Sequence, residues 1–247
     1  MAQTYFPARW ESFPAGPDFY EFWEDFDDEY ALSSNLPVAT SSPWVGTALN
    51  TGTFAQTTDE KFGVAVFSGA GTTDNSGAQI QGDMEDVSLV TSKTTRFLVR
   101  FKLSDSTQSE FFAGLGITDT TFLDGTGTLA AGLTHTDSVG FYKPDGEQNV
   151  YLVVRRDSVN VAAQSVTAIS DATYVVLGFE VAMSSTAGTG TVRVSVDGNW
   201  VASAGTFSTV MPYDTEEVLT PTISFLSGDA TGTKTATVDY IGVLQER

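Results

Sequence analysis

Asp25, Asp27 and Glu29 stand at alternate positions, so a strand over 22–30 would project all three carboxylates from one face. Carboxylates so placed suit glycoside hydrolysis. A retaining mechanism uses one as nucleophile and one as acid, with the working carboxyls ~5–5.5 Å apart. Residues four apart approach that distance only where the strand bulges or the side chains converge. The wider segment from Phe13 to Tyr30 carries Phe13, Phe19, Tyr20, Phe22, Trp23, Phe26 and Tyr30, interleaved with those three carboxylates and with Asp18, Glu21, Glu24 and Asp28. A solvated acidic face flanking aromatic anchors accounts for that mixture better than catalysis does.

His135 is the one histidine and lies in Gly132-Leu133-Thr134-His135-Thr136-Asp137. Asp137 and several serines invite a nucleophile triad, but no Gly-x-Ser-x-Gly elbow accompanies them. A loop histidine beside Thr and Asp reads instead as a surface group held by hydrogen bonds. Thr72-Thr73-Asp74-Asn75-Ser76 and Asp124-Gly125-Thr126 offer hard oxygens to calcium. Neither has the spaced carboxylates of a defined calcium loop, so their Asp residues read as turn formers. Aromatic rings stack on sugar faces, and Trp44 and Trp200 are the candidates for carbohydrate binding, against the plainer reading of each as a core lid beside a turn.

Composition narrows the field. The 247 residues include 12 Lys plus Arg and 31 Asp plus Glu, a formal net charge of −19, with no cysteine. Disulfides, thiolate metal sites and cysteine nucleophiles are excluded, and one imidazole cannot build a multi-histidine zinc site. Dispersed cations argue against a nucleic-acid partner. No metal and no cofactor are expected. The longest apolar runs, such as 174–179, fall far short of the ~20 residues a bilayer core needs, so no membrane partner is expected either. The start, 1–10, lacks the charged-then-apolar profile of a secretory leader, and the reading places the chain in a cytosol.

The elements that must position these residues are strands. In Arg96-Phe97-Leu98-Val99-Arg100-Phe101-Lys102-Leu103, Phe97, Val99, Phe101 and Leu103 share one face and the cations share the other. Thr191–Val196 repeats the alternation with Val192, Val194 and Val196 inward. Further strands are predicted around 62–67, 110–117, 138–143, 150–155, 173–182, 222–226 and 235–244. Asp197-Gly198-Asn199 marks a hairpin, and Asp124-Gly125 and Asp145-Gly146 mark other turns. Many short strands and no long amphipathic helix after residue 31 indicate an antiparallel two-sheet sandwich. The chain divides into an aromatic and acidic N-terminal arm, 1–43, and a β-sandwich domain, 44–247. Within the arm, Phe19, Phe22, Trp23, Phe26 and Tyr30 fit helical spacing slightly better than a strand, with Pro17 as a first-turn proline.

From Trp44 onward a series of segments carries a resemblance: 43–53, Asp74-Asn75-Ser76-Gly77-Ala78-Gln79-Ile80-Gln81, 97–105, 111–119, Val139-Gly140-Phe141-Tyr142-Lys143, the Val196-Asp197-Gly198 hairpin, and 238–247. Their order resembles structural proteins of tailed bacteriophages with a concanavalin A-like (laminin G-like) jelly roll, over about four-fifths of the chain. The retaining glucanases of that fold show Glu-x-Asp-x-Glu, whereas Asp25-Phe26-Asp27-Asp28-Glu29 opens with Asp. The resemblance implies a non-enzymatic virion protein, most often a capsid decoration (cement) protein assembled in the bacterial cytoplasm and bound to the major capsid protein on the capsid surface. It also implies a homo-oligomer, for which a trimer is the expectation. Trp10, Phe13, Phe19, Phe22, Trp23 and Phe26 would then contact capsid or neighbouring copies, since buried aromatics dominate interface energies. The alternative is a carbohydrate- or receptor-binding head-fibre or tail module.

Overall fold

The computed structural model describes residues 19–26, 44–57, 63–83, 87–129, 131–186, 188–201, 207–212 and 218–246. The chain forms β1 (Phe19–Glu24), β2 (Trp44–Leu49), β3 (Thr53–Thr57), β4 (Val64–Ser68), β5 (Gly77–Gly82), β6 (Thr94–Leu103), β7 (Ser109–Gly116) and β8 (Ser138–Lys143). There follow β9 (Asn149–Arg156), β10 (Val159–Ala168), β11 (Val175–Met183), β12 (Thr189–Val196), β13 (Asn199–Trp200), β14 (Phe207–Val210), β15 (Thr220–Ser227) and β16 (Thr235–Glu246).

Two antiparallel sheets result. One has nine strands in the order β13-β12-β11-β6-β16-β4-β3, with β14 beside β12 and β1 beside β16; the other has seven, β10-β9-β8-β7-β15-β5-β2. Alternation explains the packing between them. Phe97, Val99, Phe101 and Leu103 of β6 are all buried, as are Phe111, Ala113 and Leu115 of β7 in the facing sheet. Phe97 stacks on Phe179 at 5.1 Å, and Phe101 on Phe111 at 4.4 Å. The β12–β13 hairpin turns on Asp197 and Gly198, at φ 48° and 79°, the left-handed pair that a two-residue turn requires.

Residues 19–24 form a strand where helical spacing had suggested a helix. The register decides it: β1 runs antiparallel to the second half of β16, from Phe19 opposite Glu246 to Glu24 opposite Ile241. That half of β16 has β6 on its other side, while β4 covers only Thr235–Val238, so β1 fills an otherwise open backbone edge. Pairing and the inward packing of Tyr20 and Phe22 on the core override the local period. The strand stops at Glu24. Its carboxylate accepts the Phe26 amide at 2.7 Å, and Phe26 turns left-handed at φ 56°.

The 117–137 connection seals the outer face of the seven-stranded sheet. Phe122, Leu123 and Leu133 pack on Phe112, Tyr142, Val153 and Leu226 to make a second apolar cluster. The side chain of Gln79 donates to the Asp119 carbonyl and accepts from the Phe122 amide at 2.9 Å. Gln81 donates to the Ile117 carbonyl at 3.0 Å and accepts from the Asp119 amide at 2.9 Å. Two amide side chains thus hold the loop as a neighbouring strand would.

Candidate functional site

A bulge in β16 creates a chemically varied outward face. Ala236 and Val238 point into the core, and so do Ile241 and Val243, so the inward parity changes between them. The register shift against β6 falls between Val238 and Tyr240. Its effect is to turn Tyr240 outward. Opposite Gly242, β1 places Trp23, whose ring lies over the glycine: a Cβ there would meet Trp23 Cε3 at 2.7 Å. Trp23 is therefore able to stack on Tyr240, centroids 5.1 Å apart and planes 25° apart.

The row continues across β6. Arg100 lies opposite Tyr240 in the register and pairs with Asp239, the bulged residue. Its guanidinium carbon sits 3.9 Å from the centre of the Tyr174 ring, and Lys102 Nζ lies 4.4 Å from the same centre. Three aromatic rings and two cations thus line one sheet face, with Trp23 37% exposed. Burial pushes the Tyr240 phenol up to about 12, so it keeps its proton and can donate at neutral pH.

The predicted site residues separate. Trp44 is 1% exposed, wedged between Phe22 and Phe26, and its Nε1 donates to Glu24 at 3.1 Å. No sugar can reach it, so the carbohydrate-binding expectation at Trp44 is corrected: it is a core lid. Trp200 is half-buried near the β13 edge of the same outer face, beneath Arg193, whose Cζ lies 4.2 Å from the ring centre. Glu180 joins Arg193 to Arg96, at 2.7 Å to each Nε. Among the aromatic anchors, Phe26 is buried and Phe22 packs on the core, which corrects the expectation that both rings face a partner. Phe19 is half-buried, while Trp10 and Phe13 lie outside the described residues. Asp27 and Glu29 also lie outside them, and Asp25 follows the end of β1.

His135 is buried, contrary to its surface assignment. It stacks on Phe122 at 3.6 Å and its Nε2 lies 2.6 Å from Ser138 Oγ. Burial, aided by Arg155, holds it down to about 3, so it stays neutral. Asp124 accepts from the Thr126 amide and hydroxyl at 2.8 and 2.7 Å, the work of a turn former. Among the described residues no group of three or more His, Asp or Glu is placed to hold a metal ion.

A second polar cluster was not foreseen. Glu110 and Tyr142 are buried beneath the 117–137 loop, while Lys143, opposite Phe111 in the register, is buried on the inner face of the same sheet. Tyr142 donates to Glu110, and Lys143 donates to the Ser109 carbonyl. Desolvation, with Asp124 and Asp145 nearby, lifts Glu110 to about 7, and desolvation lowers Lys143 to about 8. Such values suit acid–base work, but burial denies both groups a substrate. The outward face of a sheet reads as polar in sequence, so nothing in the pattern announced that this one is roofed.

No family model matches the chain, and no curated protein does. Solved structures do. A Shewanella oneidensis protein of unknown function superposes with a TM-score of 0.57 at 15% identity, over 95% of this chain and 89% of that one. An endo-1,3-beta-glucanase from Streptomyces sioyaensis gives 0.54 at 13%, over 95% and 99%. Peanut lectin gives 0.52 at 12%, over 92% and 97%. The chain has the concanavalin A-like jelly-roll fold. Enzymes and lectins alike are built on it, and identities this low speak to the fold alone.

Proposed function

We propose that this chain is a non-catalytic recognition protein that binds carbohydrate on the outer face of its nine-stranded sheet, as a receptor-binding module of a tailed-phage virion. The observation that carries the reading is the ladder of Trp23, Tyr240 and Tyr174 laced with Arg100, Lys102 and Asp239. Rings supply flat apolar area for the faces of pyranose sugars, and guanidinium, ammonium and carboxylate groups supply directed hydrogen bonds. Burial favours binding over cleavage, because the perturbed acid Glu110 under the roofed face and the amine Lys143 on the inner face are both out of a glycan's reach. A glycan array, followed by calorimetry on hits, tests this. Trp23→Ala and Tyr174→Ala are each expected to weaken binding about tenfold or more; unchanged affinity in both, or no glycan bound at all, rejects the reading.

A second reading, capsid decoration through the N-terminal arm, is supported by the way β1 anchors the arm to the sheet beside Trp23. It draws on Trp10, Phe13 and Trp23, since Phe22 and Phe26 are already used within the subunit. Loss of binding to empty capsids on deleting residues 1–18 would favour it over glycan recognition.

A further inference from the structure

β10 ends the seven-stranded sheet and, among the described residues, pairs with β9 alone, so half of its backbone donors and acceptors face away from the sheet. Natural proteins guard such edges with charge, and the ten residues of β10, VNVAAQSVTA, carry none. Val159 is 59% exposed and Val161 38%. The nine-stranded sheet reaches the same rim through β14, which lies beside β10 and exposes Val210 at 41%. Among the described residues, three of the six exposed large apolar side chains therefore gather on one rim.

We infer that this rim pairs with the same rim of a second copy, β10 against β10 in antiparallel register about a twofold axis. The two bulges of β10, at Asn160/Ala162 and Ser165/Thr167, bracket a regular tetrad, Ala162 to Ser165. Centring the twofold on Ala163 sets Ala163 opposite its own copy and Ala162 opposite Gln164. Small and neutral side chains meet throughout, and the bulges stop the pairing from spreading. A second copy fits better than an unrelated strand for two reasons. An antiparallel strand on a twofold is complementary to itself without any further sequence requirement. Each copy also carries −19, so a charge-free edge is where two copies can approach with least repulsion. An isologous contact closes at two, so the product is a dimer and neither a trimer nor a fibre.

Sedimentation velocity on the full chain, over a concentration series in 0.15 M and 1 M NaCl, tests the inference. A monomer–dimer equilibrium is expected that tightens with salt, as the Debye length falls from roughly 8 to 3 Å. The double variant Ala163→Glu/Gln164→Glu places like charges opposite each other across the axis and should weaken association about tenfold, with an unchanged thermal midpoint. In the unaltered protein, amide exchange at 162–165 should slow at high concentration. A monomer under every condition, a stoichiometry other than two, undiminished association of the variant, or no added protection at 162–165 would each overturn the inference. None of these readouts involves a glycan, so the inference stands or falls apart from carbohydrate recognition.

Discussion

Glu110 shows how much one buried carboxyl can weigh. In the unfolded chain it titrates near 4.5; in the fold, desolvation lifts it to about 7. Between those values the folded state holds a proton that the unfolded state has released, so stability falls as pH rises from 4.5 to 7 and is level above. The full effect is about 3 kcal/mol. His135 acts in the opposite sense: neutral in the fold down to about 3, it costs stability as pH falls from 6.5. Glu110→Gln keeps an acceptor for Tyr142 and carries no titration. Its stability relative to the unaltered chain should climb by up to ~3 kcal/mol from about pH 4.5 to 7 and then level off, as urea melts can measure. A difference independent of pH would mean that Glu110 is already ionised in the fold. Neither burial was legible in the sequence. A Glu followed by Phe-Phe and a His among threonines look like surface groups until the 117–137 loop folds over them.

At the level of strands and loops, Gly116 is a tight fit. A Cβ there would meet Phe122 Cζ at 2.1 Å, and that ring is pinned between Phe112 and His135. Gly116→Ala should cost about 1–3 kcal/mol by overpacking, measured by denaturant unfolding, and should loosen the loop before the sheets. The sequence showed β6 and β12 plainly, because one face of each is apolar and the other polar. It hid β5, Gly77–Gly82, where Gln79 and Gln81 occupy the buried outer face as loop clamps and the alternation looks too polar for a strand. It misled over β1, because Phe22 and Trp23 serve opposite faces of one strand and so mimic a helical pair. The ladder face was half legible. Arg100 and Lys102 were placed on the solvent side, but the outward turn of Tyr240 depends on a bulge that no residue type announces.

For the molecule as a whole, 31 acids against 12 bases mean that folding gathers like charge. Screening should therefore stabilise it: moving from about 0.05 to 0.5 M NaCl is expected to raise the thermal midpoint by roughly 2–4 °C, a ~1 kcal/mol effect for a chain of this size. A midpoint that falls with salt would mean that ion pairs such as Arg96–Glu180 outweigh the repulsion. The bond from Trp44 to Glu24 ties the first residue of β2 to the last residue of β1. An indole in so dry a pocket emits at the blue end of its range, and water admitted by the departure of β1 would shift that light to the red. The fold thus contains an optical gauge of its own leading strand, readable without any label.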